Sequence, residues 1–364
     1  MSRRKDRIVV AVFAVLLGLI AGAVIILLLK KNPLTAYYSL LRGCGLAPKA
    51  KYAGGKSMLS DFSSFLDYMT PMLFAALAVA VALRTGLFNI GVSGQMLVGG
   101  FLATVIVGYS SLPAVAAKPL VIIIAAVGGG LIGALTGYLK YRFNINEVVS
   151  SIMLNYIASY VIGFFINTRF VDPVSRQSRD IQESARLTLQ QVKIGAFKYD
   201  IPLGLGLGII VIAVILFMFE RTVFGFELRA VGSNRVAAQY AGMKVGRSIV
   251  LSMLLSGILA GLAGATWFLG YASTIQPKVL PKLGFDAIAV CLVGGGSPIG
   301  IFFSTFFLMI IDKGSTYMSS QMGLEAEIAS VITGLILLTS ACSTFILELV
   351  NKGRKEADNN EHDQ

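Results

Sequence analysis

Long apolar runs, each close to the length of a membrane-crossing helix, alternate with polar connections along most of the chain. The first extends from Ile8 to Leu29, with Arg3, Arg4, Lys5 and Arg7 before it and Lys30 and Lys31 after it. A bilayer core is spanned by about 20 apolar residues, so this run predicts a helix across a membrane. It is longer than the apolar core of a secretory signal, and Lys30-Lys31-Asn32-Pro33 follows where a small-residue cleavage site would stand, so a retained anchor is expected. Further runs cover Phe62 to Leu83, Ile90 to Val107, Pro119 to Leu139, Val148 to Asn167, Leu203 to Phe219, Ser248 to Tyr271, Ile299 to Ile311 and Glu327 to Leu347. A shorter one, Asp286 to Gly296, completes about ten spans. The pattern predicts an all-α polytopic transmembrane helical bundle. An even number of spans puts both termini on one side, and the basic amino-terminal cluster marks that side as cytoplasmic. Long polar loops are expected at 32–60 and 169–200, a basic loop at 221–247, and a polar tail at 348–364.

Within the runs, Gly129, Gly133 and Gly137 fall at helical spacing, as do Gly257, Gly261 and Gly264. Small residues four apart let helix backbones approach in lipid, so tight packing is the expected use. Two stretches look like distant copies: Gly86-Leu87-Phe88-Asn89-Ile90 leading to Gly99-Gly100, and Gly284-Phe285-Asp286-Ala287-Ile288 leading to Gly294-Gly295-Gly296. Internal repeats with glycine-interrupted helices at matching positions mark transport pathways.

Composition narrows the chemistry. Apolar residues make up 55% and charged ones 14%, against about 25% charged in soluble domains; mean hydropathy is +0.76. The formal charge of +12 is spread through the loops, which suits anchoring to anionic headgroups and not the single basic face of a nucleic-acid binder. The one histidine, His362, lies in the tail, and Cys44, Cys291 and Cys342 are far apart. A histidine-based catalytic triad or histidine-ligated zinc site therefore cannot be assembled. Lys51-Tyr52-Ala53-Gly54-Gly55-Lys56-Ser57 has Ala50 where a phosphate loop needs its first glycine, so it reads as an ordinary loop. The chain is expected to carry no enzyme activity and no cofactor.

Carboxylates inside spans usually mark proton or ion relays, and the long runs hold almost none. Glu147 stands at the edge of its run, where it is expected to cap the helix, Asp286 lies in the short run, and Asp312 adjoins Lys313 and reads as its ion-pair partner. The driving energy is therefore expected from outside the chain. In the basic loop, Asn234 suits a helix N-cap, Ala237 to Ala241 favour helix, and Gly242 can end it. Such a short helix fits either a partner's groove or a solvated interface.

Several stretches carry a family resemblance: Leu83-Arg84-Thr85-Gly86-Leu87-Phe88-Asn89-Ile90-Gly91-Val92-Ser93-Gly94-Gln95, Asn146-Glu147-Val148-Val149-Ser150-Ser151-Ile152-Met153-Leu154-Asn155-Tyr156, Arg229-Ala230-Val231-Gly232-Ser233-Asn234 through Ala241-Gly242, and Ser256-Gly257 through Gly264-Ala265. Across residues 35 to 347 the chain resembles permease subunits of bacterial ABC importers in the simple-sugar, branched-chain amino acid and nucleoside group, and is most similar to the nucleoside permeases. The resemblance implies a multi-pass subunit of the bacterial plasma membrane. One permease domain at 1–347 would pair with a second, different permease chain. ATP-binding subunits would hold ATP-Mg, and a lipoprotein would deliver a small neutral substrate; no nucleic acid is implied. Residues 221–247 would be the cytoplasmic coupling loop, with Gly232, Asn234, Ala237, Ala238 and Gly242 in the coupling helix. The family often has Asn-Pro-x-Ala-Ala there; this chain has Asn234-Arg235-Val236-Ala237-Ala238.

A nucleoside offers a flat base and a ribose rich in hydroxyls. Phe88 is a candidate to stack on the base, and Asn89, Gln95, Asn146 and Asn155 to hydrogen-bond it. The competing reading is that these amides satisfy backbone groups at helix breaks. A different neutral cargo, such as a sugar or an amino acid, and an ion-coupled secondary transporter remain the alternatives.

Overall fold

In the computed structural model, residues 2–52, 56–194, 197–325 and 327–341 are described. Part of the 51–57 loop, the end of the last apolar run with Cys342, and the tail with His362 lie outside the described residues. Apolar runs become helices because a chain in lipid must satisfy its own backbone hydrogen bonds. In chain order the helices are α1 (Ser2–Leu28), α2 (Pro33–Gly43), α3 (Met58–Arg84), α4 (Val92–Ala103), α5 (Ala114–Phe143), α6 (Glu147–Phe165), α7 (Leu203–Arg221), α8 (Val223–Ser233), α9 (Arg235–Tyr240), α10 (Val245–Thr266), α11 (Leu283–Val293), α12 (Pro298–Met322) and α13 (Glu327–Ala341). Helices α4, α6 and α10 run on into π turns, at Thr104–Gly108, Ile166–Phe170 and Trp267–Tyr271.

Among the described residues, 6 helices are long and apolar enough to cross a membrane, or 7 if α1 and α2 count as one span bent by 114°. The expected count of about ten is therefore not reached by length alone; α4 with its π turn, α11 and Glu327–Ile336 are the shorter apolar helices. The bend falls at Lys30-Lys31-Asn32-Pro33. Lys30 adopts a left-handed backbone, Asn32 accepts a hydrogen bond from the Leu34 amide at 2.9 Å, and Pro33 opens α2. Ser57 starts α3 in a reciprocal capping box with Ser60, which gives the end of the 51–57 loop a structural role.

Helices α3 and α10 lie antiparallel at the centre. Ser252 and Ser256, one turn apart on α10, donate to the carbonyls of Val81 (3.2 Å) and Ala78 (2.6 Å) on α3. Around them the packing is two-fold: α4 touches α5, α6 and α10, while α11 touches α12, α13 and α3. Likewise α5 lies on α10 as α12 lies on α3, and α4 meets α11. Exchanging α3–α6 with α10–α13 reproduces the pairings, and the antiparallel axis makes the repeat an inverted one. Its register differs from the sequence match. Gly86 to Ile90 precede α4, whereas Gly284 to Ile288 lie within α11.

The two glycine rows interlock. A side chain at Gly129 would stand 2.4 Å from the Gly257 carbonyl, and one at Gly261 would stand 2.0 Å from the Ala125 carbonyl. Gly264 meets the Met96 carbonyl of α4 just as closely, at 2.0 Å. Close packing accounts for both rows.

The 169–200 loop is not wholly irregular. It leads into an antiparallel hairpin of β1 (Thr188–Ile194) and β2 (Phe197–Pro202), with Val192 opposite Tyr199 and Ile194 opposite Phe197. Leu189, Val192, Ile194, Phe197, Tyr199 and Ile201 supply the near-alternating apolar positions a strand pair requires. The hairpin docks on the start of α3, where Ser60 Oγ donates to the Lys198 carbonyl at 2.5 Å and Ser63 Oγ to the Asp200 carbonyl.

Candidate functional site

Between α3 and α4 the chain leaves helix; residues 87–90 have no regular structure and Gly91 turns into the α4 start. Exposed backbone groups at such a break need partners. Asn89 Nδ2 donates to Gln95 Oε1 (3.0 Å) and to Ser256 Oγ (2.7 Å), while its Oδ1 accepts from the Gly91 amide at 2.9 Å. Asn155 on α6 accepts from the Gly94 amide (3.0 Å) and donates to the Ile90 carbonyl (3.0 Å). Asn89, Gln95 and Asn155 are all buried. The network ties α3, α4, α6 and α10 together, and in this arrangement the amides serve the broken backbone. Phe88 lies beside Asn89 and is part-buried.

Asn146 stands apart from these residues. It is exposed and caps α6, accepting from the Val148 amide at 2.9 Å. Glu147 follows in the first turn of α6, a carboxylate at the helix start as expected, and pairs with Lys140 on α5 at 2.9 Å; the side-chain cap itself is Asn146.

The basic loop folds as anticipated from its residues. Asn234 ends α8 and caps α9, accepting from the Ala237 amide at 3.0 Å, and Gly242 closes the segment at a left-handed φ of 81°. Gly232 is packed so closely that a side chain there would lie 2.2 Å from the Arg84 carbonyl. Arg235 donates to the Gly86 carbonyl at 3.2 Å. The segment is thus fastened to the turn that leads into the Asn89 network. Ala238 is buried against the bundle, while Val236 (61% exposed) and Tyr240 (90% exposed) face outward.

A second cluster went unread in the sequence. Tyr68 of α3, Trp267 and Tyr271 of the π turn after α10, and Asp312 and Lys313 of α12 converge. Trp267 and Tyr271 stack with centroids 5.4 Å apart, and Tyr68 meets Tyr271 edge-on at 4.9 Å. Tyr68 Oη donates to Asp312 Oδ2 at 2.5 Å, and Lys313 Nζ donates to Tyr271 Oη at 2.6 Å. Among the described residues Asp312 and Lys313 form no ion pair with each other; each charge turns to an aromatic hydroxyl instead. The available signal was two charges inside what proves to be one long helix.

A family model described as the permease component of the branched-chain amino acid transport system matches residues 62–341. The chain belongs to that permease family. The matched span begins in α3 and ends with α13, so the permease unit takes in both copies of the repeat. The guanosine ABC transporter permease protein NupP of Bacillus subtilis (strain 168) is 36% identical, covering 99% of this chain and 100% of its own. The nucleoside ABC transporter permease protein NupB of Lactococcus lactis subsp. cremoris (strain MG1363) is 31% identical over 96% and 94%. A further guanosine ABC transporter permease protein of the same Bacillus strain, NupQ, is 25% identical over 66% and 77%.

Proposed function

We propose that this permease is the membrane subunit of an ATP-driven importer of nucleosides. The likeness to a guanosine permease along both whole chains carries the reading. ATP-Mg binds in separate subunits, which dock on the outward face of α9 at Val236 and Tyr240. Gly232, Asn234, Ala237, Ala238 and Gly242 shape that coupling segment, and the Gly232 and Arg235 contacts carry its displacement to the α3–α4 break. A second, different permease chain completes the pathway; two guanosine permeases of one Bacillus strain both resembling this chain supports this. A substrate-binding lipoprotein delivers the cargo, and both termini lie in the cytoplasm.

The test is uptake of labelled guanosine by cells with and without the gene, with the proton gradient collapsed and ATP maintained. Uptake that requires the gene and survives the collapse is expected. Uptake abolished by the collapse would instead assign an ion-coupled carrier.

A further inference from the structure

The three rings and two charges around Tyr68 have no role in holding the α3–α4 break, and their chemistry is that of a ligand seat. Charges within membrane helices are costly and face cavities or the bundle interior. Here Tyr68, Trp267, Tyr271, Asp312 and Lys313 all keep partial exposure, and Tyr68 and Trp267 pack along the margin of the main core, so the cluster is within reach of a ligand. The carboxylate and ammonium leave each other and turn to aromatic hydroxyls. The ammonium lies 4.9 Å from the Tyr68 ring centre and 4.6 Å from that of Tyr271, the position of a cation over π faces. The π turn matters because the Ala272 amide bonds the Trp267 carbonyl at 2.8 Å, a wide loop that brings Trp267 and Tyr271 into their stack.

We propose that Tyr68, Trp267, Tyr271, Asp312 and Lys313 form the seat for the base of the transported nucleoside. This rests on the nucleoside reading and adds the recognition chemistry. The base stacks on the aromatic faces, replacing the ammonium there, as bases stack on aromatic side chains elsewhere. Asp312, an acceptor only, takes the ring N–H, and Lys313, a donor only, moves to the neighbouring carbonyl. Guanine presents that edge: a carbonyl, a ring N–H and an amino group in a row. A sugar has neither the flat face nor this edge.

The experiment measures initial uptake of guanosine and of 1-methylguanosine by cells expressing the complete transporter, with this chain wild type or Asp312→Asn. The methylated compound lacks the ring N–H that Asp312 accepts. Wild type is expected to import it with a KM roughly tenfold or more above that for guanosine, the effect of one lost charged hydrogen bond. Asp312→Asn is expected to raise the guanosine KM by a similar factor and to leave the 1-methylguanosine KM nearly unchanged, which closes the gap between them. Equal effects on both compounds, or none on either, would overturn the seat. If Asp312→Asn does not reach the membrane, Tyr68→Phe carries the same comparison, since it keeps the ring and removes only the hydroxyl that holds Asp312. Absence of nucleoside uptake by wild type would remove the function reading itself, whereas wild-type uptake indifferent to these changes removes the seat alone.

Discussion

Asn89 shows how one side chain can be read two ways from sequence. An amide inside a membrane run serves a polar cargo or a broken backbone, and both uses select the same residue. The break itself decides, because Gly91, Gln95 and Ser256 all take hydrogen bonds from or to Asn89. Replacing it with alanine leaves buried polar groups unmatched, at about 1–3 kcal/mol each. Asn89→Ala is therefore expected to lower the thermal unfolding midpoint of the detergent-purified protein. An unchanged midpoint would argue that the network is dispensable. Tyr68, Trp267 and Tyr271 were illegible for another reason: aromatic residues in apolar runs look like core, and Tyr68 stands far along the chain from the other two. Asp312 and Lys313 were visible, but adjacency in sequence was mistaken for contact in space.

At the scale of elements, helix type and approximate position followed from apolar run length, and the ends did not. The run ending at Ile311 gives no sign that α12 continues through Asp312 and Lys313 to Met322, because the stretch beyond it is polar and the first two of its residues turn to the Tyr68 cluster. The hairpin's near-alternation lies partly within 169–200, whose overall polarity masks it and reads as loop. The glycine rows were read correctly, as spacing alone specifies close approach. Gly261→Val is expected to separate α5 from α10, because the added atoms meet the Ala125 carbonyl. Overpacking costs about 1–3 kcal/mol, occasionally more. The measurement is the yield of folded, monodisperse protein after detergent extraction; a wild-type yield would show that the seam can widen.

For the whole molecule, the α8–α9 segment is fastened to the turn before the α3–α4 break, which is the route the proposed function needs from a partner to the interior. Sequence pointed to α9 through Asn234 and Gly242, but could not show that Gly232 rests on the α3 terminus. The outward side chains offer a test that spares the fold. Tyr240→Asp, at a position 90% exposed, is expected to leave the protein in the membrane and to abolish recovery of the ATP-binding subunit with it, along with transport. Apolar aromatic anchors contribute 2 kcal/mol or more at such interfaces, about a thirtyfold loss of affinity. Undiminished co-purification by a well-expressed variant would move the docking surface elsewhere.

The interlocked α5–α10 seam also bears on how the permease can move. Where backbone rests on backbone there is no cushion of flexible side chains, and a small slide drives a neighbouring side chain into a carbonyl. Helices α5 and α10, with α4 held through Gly264, must then travel as a single rigid plate. In the proposed transport cycle, rearrangement falls to helices outside that plate, such as α7 and the α1–α13 pair, which pack on α3, α11 and α12 instead, and the glycines work as the machine's fixed chassis.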